Sequence, residues 1–166
     1  MITLRSYTKE DAKQLAKIAN EEGITKNLMN IFPYPYSLTD AINFIEFAIA
    51  NPKRIYAIQY NNELVGGVGI HPQDDIFCKN AELGYWVGKQ FWGKGIGSEA
   101  VKQIIPIAFE KFDITRLFGR PFHNNIASQK VLEKNGFELE ATLSKTIFKN
   151  GEFFDELIYG LRVEEK

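Results

Sequence analysis

Three glycines at alternate positions stand between a strand-like and a helix-like stretch of the chain. They are Gly93, Gly95 and Gly97, within residues 90–100. Because glycine lacks a Cβ, a turn built from it lets a ligand approach the backbone closely. The helix predicted over residues 99–111 would point its free N–H groups and the positive end of its dipole at that ligand. This arrangement suits a phosphate or pyrophosphate, so it indicates a nucleotide-like cofactor and hence an enzyme.

Two familiar phosphate-binding patterns do not fit this loop. The dinucleotide fingerprint is G-x-G-x-x-G, whereas the spacing here is G-x-G-x-G. The P-loop needs Ser or Thr after Gly-Lys, whereas Lys94 is followed by Gly95. A glycine-rich connection that only reverses the chain is the structural alternative.

A second segment, residues 125–137, has the pattern of a capped helix. Asn124 or Asn125 can cap its start. Apolar residues then repeat at helical spacing, and Gly136 is suited to the left-handed conformation that ends many helices. An Asn-x-x-Ser sequence, formed by Asn125 and Ser128, opens this helix.

Together the two segments resemble the GNAT superfamily of N-acetyltransferases. Its acyl-coenzyme A loop is written [Gln/Arg]-x-x-Gly-x-[Gly/Ala], and Gln90, Gly93 and Gly95 fill those places. Asn125 and Ser128 match the next signature, in the family's order and spacing. Further similar phrases cover residues 32–36, 64–67, 82–87 and 150–157, and they resemble the branch of the ribosomal-protein alanine acetyltransferases.

Length and composition bound the remaining possibilities. With 166 residues we expect one domain, residues 1–166, with room for a hydrophobic core. The net charge of −1 gives no electrostatic indication of nucleic acid or an anionic membrane as partner. A single cysteine, Cys78, fits a reducing compartment, and no Cys/His spacing indicates a metal site. No apolar run reaches membrane-spanning length, so we predict a cytoplasmic protein.

The periodicity of the chain predicts a mixed α+β fold. Strands are expected over residues 2–7, 54–60, 63–70, 81–87, 116–120, 138–148 and 152–163. About four helices are expected, beginning near Thr8, Ser37, Glu99 and Asn125. Tight turns are predicted at 61–62 and at 150–151. The resemblance adds that the sheet of about seven strands is splayed in its middle.

The resemblance implies acetyl transfer from acetyl-CoA to a primary amine, on a protein N-terminus or a small molecule. Direct attack would pass through a tetrahedral intermediate, whose oxyanion a strand N–H near Val87 can stabilise. Backbone groups of residues 93–98 would hold the pyrophosphate, and residues 85–87 the pantetheine arm. The expected cofactor-binding residues are Tyr85, Trp86, Val87, Gln90, Gly93, Lys94, Gly95, Ile96, Gly97, Ser98, Asn125 and Ser128.

Glu82 is the candidate general base. It precedes the expected pantetheine site on the same strand, and by period-2 alternation it shares a face with Trp86. A cross-strand ion pair is an equally weighted structural alternative. Asp155 is the second candidate, for which a structural role in the turn or at the strand end is favoured.

Ser128 is the candidate partner of the departing thiolate. Many family members place a tyrosine seven residues after the motif asparagine, but Leu132 stands there and cannot donate a proton. If the space around position 132 permits, a Leu132→Tyr substitution is expected to be tolerated or to help. Some of the ribosomal branch also carry an acidic residue where this chain has Ile147.

The identity of the acceptor stays open at this stage. Aromatic residues that can pack around an amine are Phe32, Tyr34, Tyr36, Phe148, Phe153 and Phe154, although core packing accounts for at least half of such residues. A non-catalytic acyl-CoA-binding sensor or an interaction module is the alternative to an enzyme. Either a monomer or a homodimer is compatible with the sequence.

Overall fold

Seven strands and five α-helices make up residues 1–163, the part of the chain that the computed structural model describes. The strands are β1 (Ile2–Arg5), β2 (Ile55–Tyr60), β3 (Glu63–Pro72), β4 (Asn80–Val87), β5 (Arg116–Gly119), β6 (Glu138–Lys149) and β7 (Glu152–Arg162). The helices are α1 (Ala12–Ala19), α2 (Glu22–Thr25), α3 (Leu38–Ala50), α4 (Ile96–Lys111) and α5 (Ile126–Lys134).

The strands form one mixed sheet in the order β1-β2-β3-β4-β5-β7-β6. Antiparallel ladders join β1 to β2, β2 to β3, β5 to β7 and β6 to β7, whereas β4 and β5 run parallel. The parallel ladder ends at the pair Glu82↔Phe118, although β4 continues to Val87. The predicted α+β class and strand number are confirmed, with the short helix α2 added to the expected helices.

Both predicted tight turns are present. Asn61 and Asn62 have φ of 49° and 67°, and Asn150 and Gly151 have φ of 51° and 78°. Positive φ at both central residues is the geometry of a type I′ turn, which matches the twist of the flanking strands. These two-residue turns fix the registers of β2 against β3 and of β6 against β7.

Capping residues determine where the helices begin. Ser37 and Asp40 form a reciprocal capping box at α3, with the Asp40 N–H donating to Ser37 Oγ at 3.1 Å. Near the N-terminus, Asp11 accepts the backbone N–H of Thr8 at 2.8 Å. The first turn there is a 3₁₀ helix, Lys9–Asp11, and α1 follows it.

The described residues divide into two compact units, residues 1–69 with 85–104 and residues 70–84 with 105–163. In the first unit, α1 and α3 pack their apolar faces against the sheet through Leu15, Ile18 and Ile45. In the second unit, Leu132 of α5 lies directly over Gly119 of β5. The expectation of a single domain stays a prediction.

Candidate functional site

The glycine loop adopts the conformation that its sequence predicts. Gly93 and Gly95 have φ of 77° and 72°, a region that side chains other than glycine rarely adopt. A Cβ added to either would meet nothing within 4 Å, so the space beside the backbone is open. The N–H of Glu99 donates to the Gly95 carbonyl, which leaves the N–H groups of the first turn of α4 outside the helical ladder. The open space beside these glycines, at a helix start, fits a pyrophosphate.

Helix α4 begins three residues earlier than predicted, at Ile96. Gly97 and Ser98 therefore belong to its first turn rather than to a loop before it. A Cβ on Gly97 would lie 3.7 Å from Val87 and 3.8 Å from Tyr85. The structure thus places the start of α4 against the end of β4, where the sequence predicts the pantetheine-binding backbone.

The side chains of Lys94 and Gln90, in and beside the glycine loop, differ in their surroundings. The Lys94 ammonium group lies over the rings of Tyr60 and Phe91, at 5.9 Å and 5.6 Å from their centroids. Such cation–π contacts hold a lysine near aromatic faces. Gln90 is exposed in the 3₁₀ helix Lys89–Phe91.

Two glycines of β3 allow β4 to approach closely. A Cβ on Gly66 would overlap the carbonyl oxygen of Trp86 and lie 3.0 Å from Cα of Val87. A Cβ on Gly67 would lie 2.5 Å from the Tyr7 hydroxyl and 3.0 Å from Trp86 Nε1. The end of β4 therefore has its position only because β3 carries no side chains there.

The aromatic ring of Trp86 belongs to a cluster in the first unit. Its centroid is 5.4 Å from Phe32, which lies 5.1 Å from Tyr36. Tyr36 is buried, and burial raises the pKa of its hydroxyl to about 12, while Tyr34 is exposed. For Phe32 and Tyr36, core packing is thus the better explanation than an acceptor pocket.

The second unit contains Glu82, on the part of β4 that pairs with β5. Its register partner is Phe118. Burial raises the pKa of the Glu82 carboxyl; the positive charge of Arg120 opposes this effect, and the negative charge of Glu156 adds to it. A half-buried carboxylate whose pKa is raised is a candidate for a general base.

Arg120 and Glu156 form an ion pair that the sequence analysis did not identify. Nε and one terminal nitrogen of Arg120 both lie 2.9 Å from Oε2 of Glu156. The Glu156 side chain is 6% exposed, and its Oε1 accepts a 3.4 Å hydrogen bond from the hydroxyl of Thr146. This hydrogen bonding raises the pKa of Arg120. The available sequence signal was a charged residue inside the apolar strand β7.

Asp155, the second candidate base, has a structural role. Its carboxylate accepts the backbone N–H of Lys145 at 2.9 Å, where β6 bulges and Lys145 has φ of 52°. The backbone N–H of Asp155 donates to Nδ1 of His123 at 3.1 Å. These contacts support the favoured interpretation of Asp155 as part of the strand architecture.

At the start of α5, Asn125 caps the helix as predicted. Its Oδ1 accepts the backbone N–H of Ser128 at 3.3 Å, which fixes Ser128 in the first turn. Leu132, one turn further on, is 1% exposed, and a Cβ on Gly119 would lie only 3.0 Å from it. The space that a Leu132→Tyr substitution requires is therefore missing, because the larger side chain would have to enter a filled core.

The remaining predicted aromatics lie on or beside the last hairpin. Phe148 and Phe153 pack on each other with centroids 4.9 Å apart, and both are more than 60% exposed. Phe154 instead contacts Phe122 at 5.4 Å. These residues thus form two separate pairs within the second unit.

The family of the chain follows from comparison with known proteins. Residues 1–138 match the family described as the acetyltransferase (GNAT) domain. The chain therefore belongs to the GNAT acetyltransferase family. It is an acyltransferase that uses acetyl-CoA as donor, and the predicted enzyme class and cofactor are confirmed.

Individual relatives are similar along almost their whole length. The "Putative ribosomal N-acetyltransferase YdaF" of Bacillus subtilis (strain 168) is 30% identical over 99% of this chain and 92% of its own length. Among solved structures, the self-immunity acetyltransferase MccE, in complex with acetyl-CoA and AMP, has a TM-score of 0.82 at 29% identity, over 98% of this chain and 92% of that one. The ribosomal L7/L12 α-N-protein acetyltransferase RimL, in complex with coenzyme A, has a TM-score of 0.86 at 22% identity, over 98% and 94%.

Within residues 1–163, no helix combines the length and the apolar character that crossing a bilayer requires. The cytoplasmic location stays a prediction.

Proposed function

We propose that this chain transfers the acetyl group of acetyl-CoA to a primary amine, either the α-amine of a protein N-terminus or a small-molecule amine. The observation that carries the proposal is the open glycine loop at the start of α4, packed beside the end of β4, the strand that also carries the half-buried Glu82. The 30% identity to YdaF, described as a putative ribosomal N-acetyltransferase, supports a protein amine, such as an N-terminus, as acceptor. The MccE structure, at 29% identity, holds the small molecule AMP together with acetyl-CoA, and this keeps a small-molecule amine as the other candidate acceptor.

The glycine loop and the end of β4 are the proposed cofactor-binding elements. Backbone N–H groups of residues 93–98 would hold the pyrophosphate, with Gln90 and Lys94 at the edge of the loop. Backbone groups of residues 85–87 would hold the pantetheine arm. When bound, acetyl-CoA supplies a thioester carbonyl that an amine attacks directly, through a tetrahedral intermediate.

Three groups of the chain have proposed chemical roles. Glu82 accepts the proton of the acceptor amine, directly or through water. The backbone N–H of Val87 stabilises the negative charge that develops on the carbonyl oxygen. Ser128, held by Asn125 at the start of α5, donates a hydrogen bond to the departing thiolate.

Turnover of a Glu82→Gln variant tests this function. We would measure thiol release with a panel of small amines and N-terminal peptides, from about pH 6 to 9. Loss of a general base typically costs about 10²–10⁴-fold, and the loss should shrink at high pH, where the amine is unprotonated without help. Acetyl-CoA affinity should stay near that of the parent.

The matched control is Glu138→Gln, which removes an exposed carboxylate from β6. It should retain parental turnover. Turnover of Glu82→Gln within about threefold of the parent across the pH range, well below the effect of a typical base, would exclude Glu82 from the role. Absence of turnover with every amine in the panel would contradict the proposed acceptor class.

A further inference from the structure

Three charged side chains from three different strands converge on one face of the sheet in the second unit. Glu82 lies on β4, Arg120 directly follows β5, and Glu156 lies on β7. The register places Glu82 opposite Phe118, and Arg120 is two residues further along, on the same face by strand alternation. Glu156 pairs with Phe122 in an isolated β-bridge, and Phe122 is two residues beyond Arg120, so Glu156 lies on the same face. The array contains two carboxylates and one guanidinium.

The three members differ in how firmly they are held. The Glu156 side chain is 6% exposed, with Oε2 on the guanidinium and Oε1 on the Thr146 hydroxyl. The Arg120 side chain is 46% exposed. Because the shared contact uses Nε and one terminal nitrogen, the buried carboxylate orients the guanidinium plane. Within residues 1–163 no ion pair includes Glu82, and its carboxylate interacts with both other members through their charges.

Other charged groups around Glu82 are few or are engaged elsewhere. On β3, the ring of His71 lies beside Gly84, where an added Cβ would be 3.7 Å from Nε2. On β5, Arg116 contacts Asn80 at 3.0 Å and Glu140 at 2.6 Å. The nearby Asp155 carboxylate is held by the Lys145 N–H. Arg120 and Glu156 are therefore the charges that the structure couples to Glu82.

We propose that Arg120 and Glu156 are positioning residues for the general base. Buried Glu156 holds the Arg120 guanidinium at a place from which its positive charge favours the ionised form of the Glu82 carboxylate, without a direct ion pair between Arg120 and Glu82. This inference rests on the proposed function of Glu82. It adds that the proton affinity of the base is set by two side chains from other strands. Neither needs to contact the acceptor amine or the cofactor.

The two positioning residues act on Glu82 in opposite directions. Without Arg120, Glu82 would face a second carboxylate in a half-buried environment, and like charges favour protonation. Without the Glu156 charge, Arg120 would lose its partner and interact with Glu82 alone, which favours ionisation. A role in folding alone would not predict opposite signs for the two substitutions.

Titration of the Glu82 carboxyl in Arg120→Gln and Glu156→Gln is the direct test. We would follow side-chain carboxyl signals by ¹³C NMR and assign Glu82 by the signal that disappears in Glu82→Gln. The Glu82 pKa should rise in Arg120→Gln and fall in Glu156→Gln, each by about one unit, since a neighbouring charge typically shifts a carboxyl by that much or more. The acidic limb of the pH profile of kcat/KM should shift to higher pH in Arg120→Gln and to lower pH in Glu156→Gln.

Further variants keep the test decisive if one substitution impairs folding. Arg120→Lys retains the charge and should keep the Glu82 pKa close to that of the parent. Arg162→Gln removes an exposed arginine whose partner is Glu140, and it should leave Glu82 unchanged. His71→Gln should preserve the opposite signs when combined with each primary variant.

The two proposals fail in different ways. Shifts of equal sign in Arg120→Gln and Glu156→Gln, or the absence of any shift in both, would overturn the positioning role even if Glu82 is the base. Opposite shifts in the NMR titration, together with full turnover of Glu82→Gln, would support the electrostatic arrangement and reject the proposed function of Glu82. A shift of the acidic limb of the kcat/KM profile in parallel with the pKa values measured by NMR would support both proposals.

Discussion

The indole N–H of Trp92 donates a 2.8 Å hydrogen bond to the backbone carbonyl oxygen of Val87. One residue after Val87, the N–H of Gly88 donates to the carbonyl of Val65 at 2.8 Å. The end of β4 is thus held both by the neighbouring strand and by a side chain of the glycine loop. This contact joins the two elements that we propose to bind acetyl-CoA.

Removal of that indole bond should weaken cofactor binding. Trp92→Phe keeps an aromatic ring but cannot donate to Val87. A single hydrogen bond contributes about 0.5–1.5 kcal/mol, so the affinity for acetyl-CoA should fall roughly two- to tenfold. Isothermal titration calorimetry measures this change, and an affinity equal to the parental value would show that the bond does not organise the site.

Gly95→Val should abolish the increase in thermal stability that acetyl-CoA causes in the parent. A ligand that binds only the folded state stabilises it by mass action, and the valine would fill the open space beside the loop. The matched control is Gly151→Val, because Gly151 has φ of 78° and also has nothing within 4 Å. Both variants carry similar strain of about 1–2 kcal/mol.

Differential scanning fluorimetry with and without acetyl-CoA separates these two effects. Both variants should melt earlier than the parent, but only Gly151→Val should keep the cofactor-dependent shift. A normal shift in Gly95→Val would exclude the loop as the phosphate site.

Gly66→Ala should destabilise the fold, because its Cβ would overlap the backbone carbonyl oxygen of Trp86. Backbone atoms cannot move aside as a flexible side chain can, and overpacking typically costs about 1–3 kcal/mol. Gly84→Ala is the control, since its Cβ would make an ordinary 3.7 Å contact with His71. Urea unfolding compares the two free energies, and equal values would contradict the proposed close approach of β3 and β4.

Ser128→Ala should slow turnover modestly. Water can replace a hydroxyl that only hydrogen-bonds the thiolate, so we expect a loss of roughly tenfold, below the 10²–10⁴-fold of a typical general acid. Ser144→Ala, at an exposed position of β6, is the control. Steady-state thiol release measures both, and a parental rate in Ser128→Ala would remove the serine from the mechanism.

Among acceptors, α-amines should react faster than lysine side chains. A lysine ε-amine with a pKa of about 10.4 is almost wholly protonated at pH 7, whereas an α-amine with a pKa of about 8 is partly free. A matched pair of peptides, one with a free α-amine and one with a free ε-amine, tests this preference. Equal or faster acetylation of the ε-amine at pH 7 would contradict it.

Local signals in the sequence predicted much of this protein. The glycine loop, the capping box of Ser37 and the Asn150-Gly151 turn each depend on a few consecutive residues, whose backbone preferences are intrinsic. The α+β class and the number of strands could be expected as well, because two short motifs resemble those of a family with this fold. The start of α4 at Ile96 was missed because the glycines hide the first helical turn.

The neighbours of the proposed base were decided only by the tertiary structure. Arg120 and Glu156 are 36 residues apart in the chain, and strand pairing brings them together. The sequence likewise left open whether a proton donor could replace Leu132, and only its packing over Gly119 shows that the core there is filled. A pattern of consecutive residues does not predict such contacts, because they depend on how distant strands align. The sequence by itself therefore determined the family and the conformation of the glycine loop, whereas the fold determined the electrostatic surroundings of Glu82.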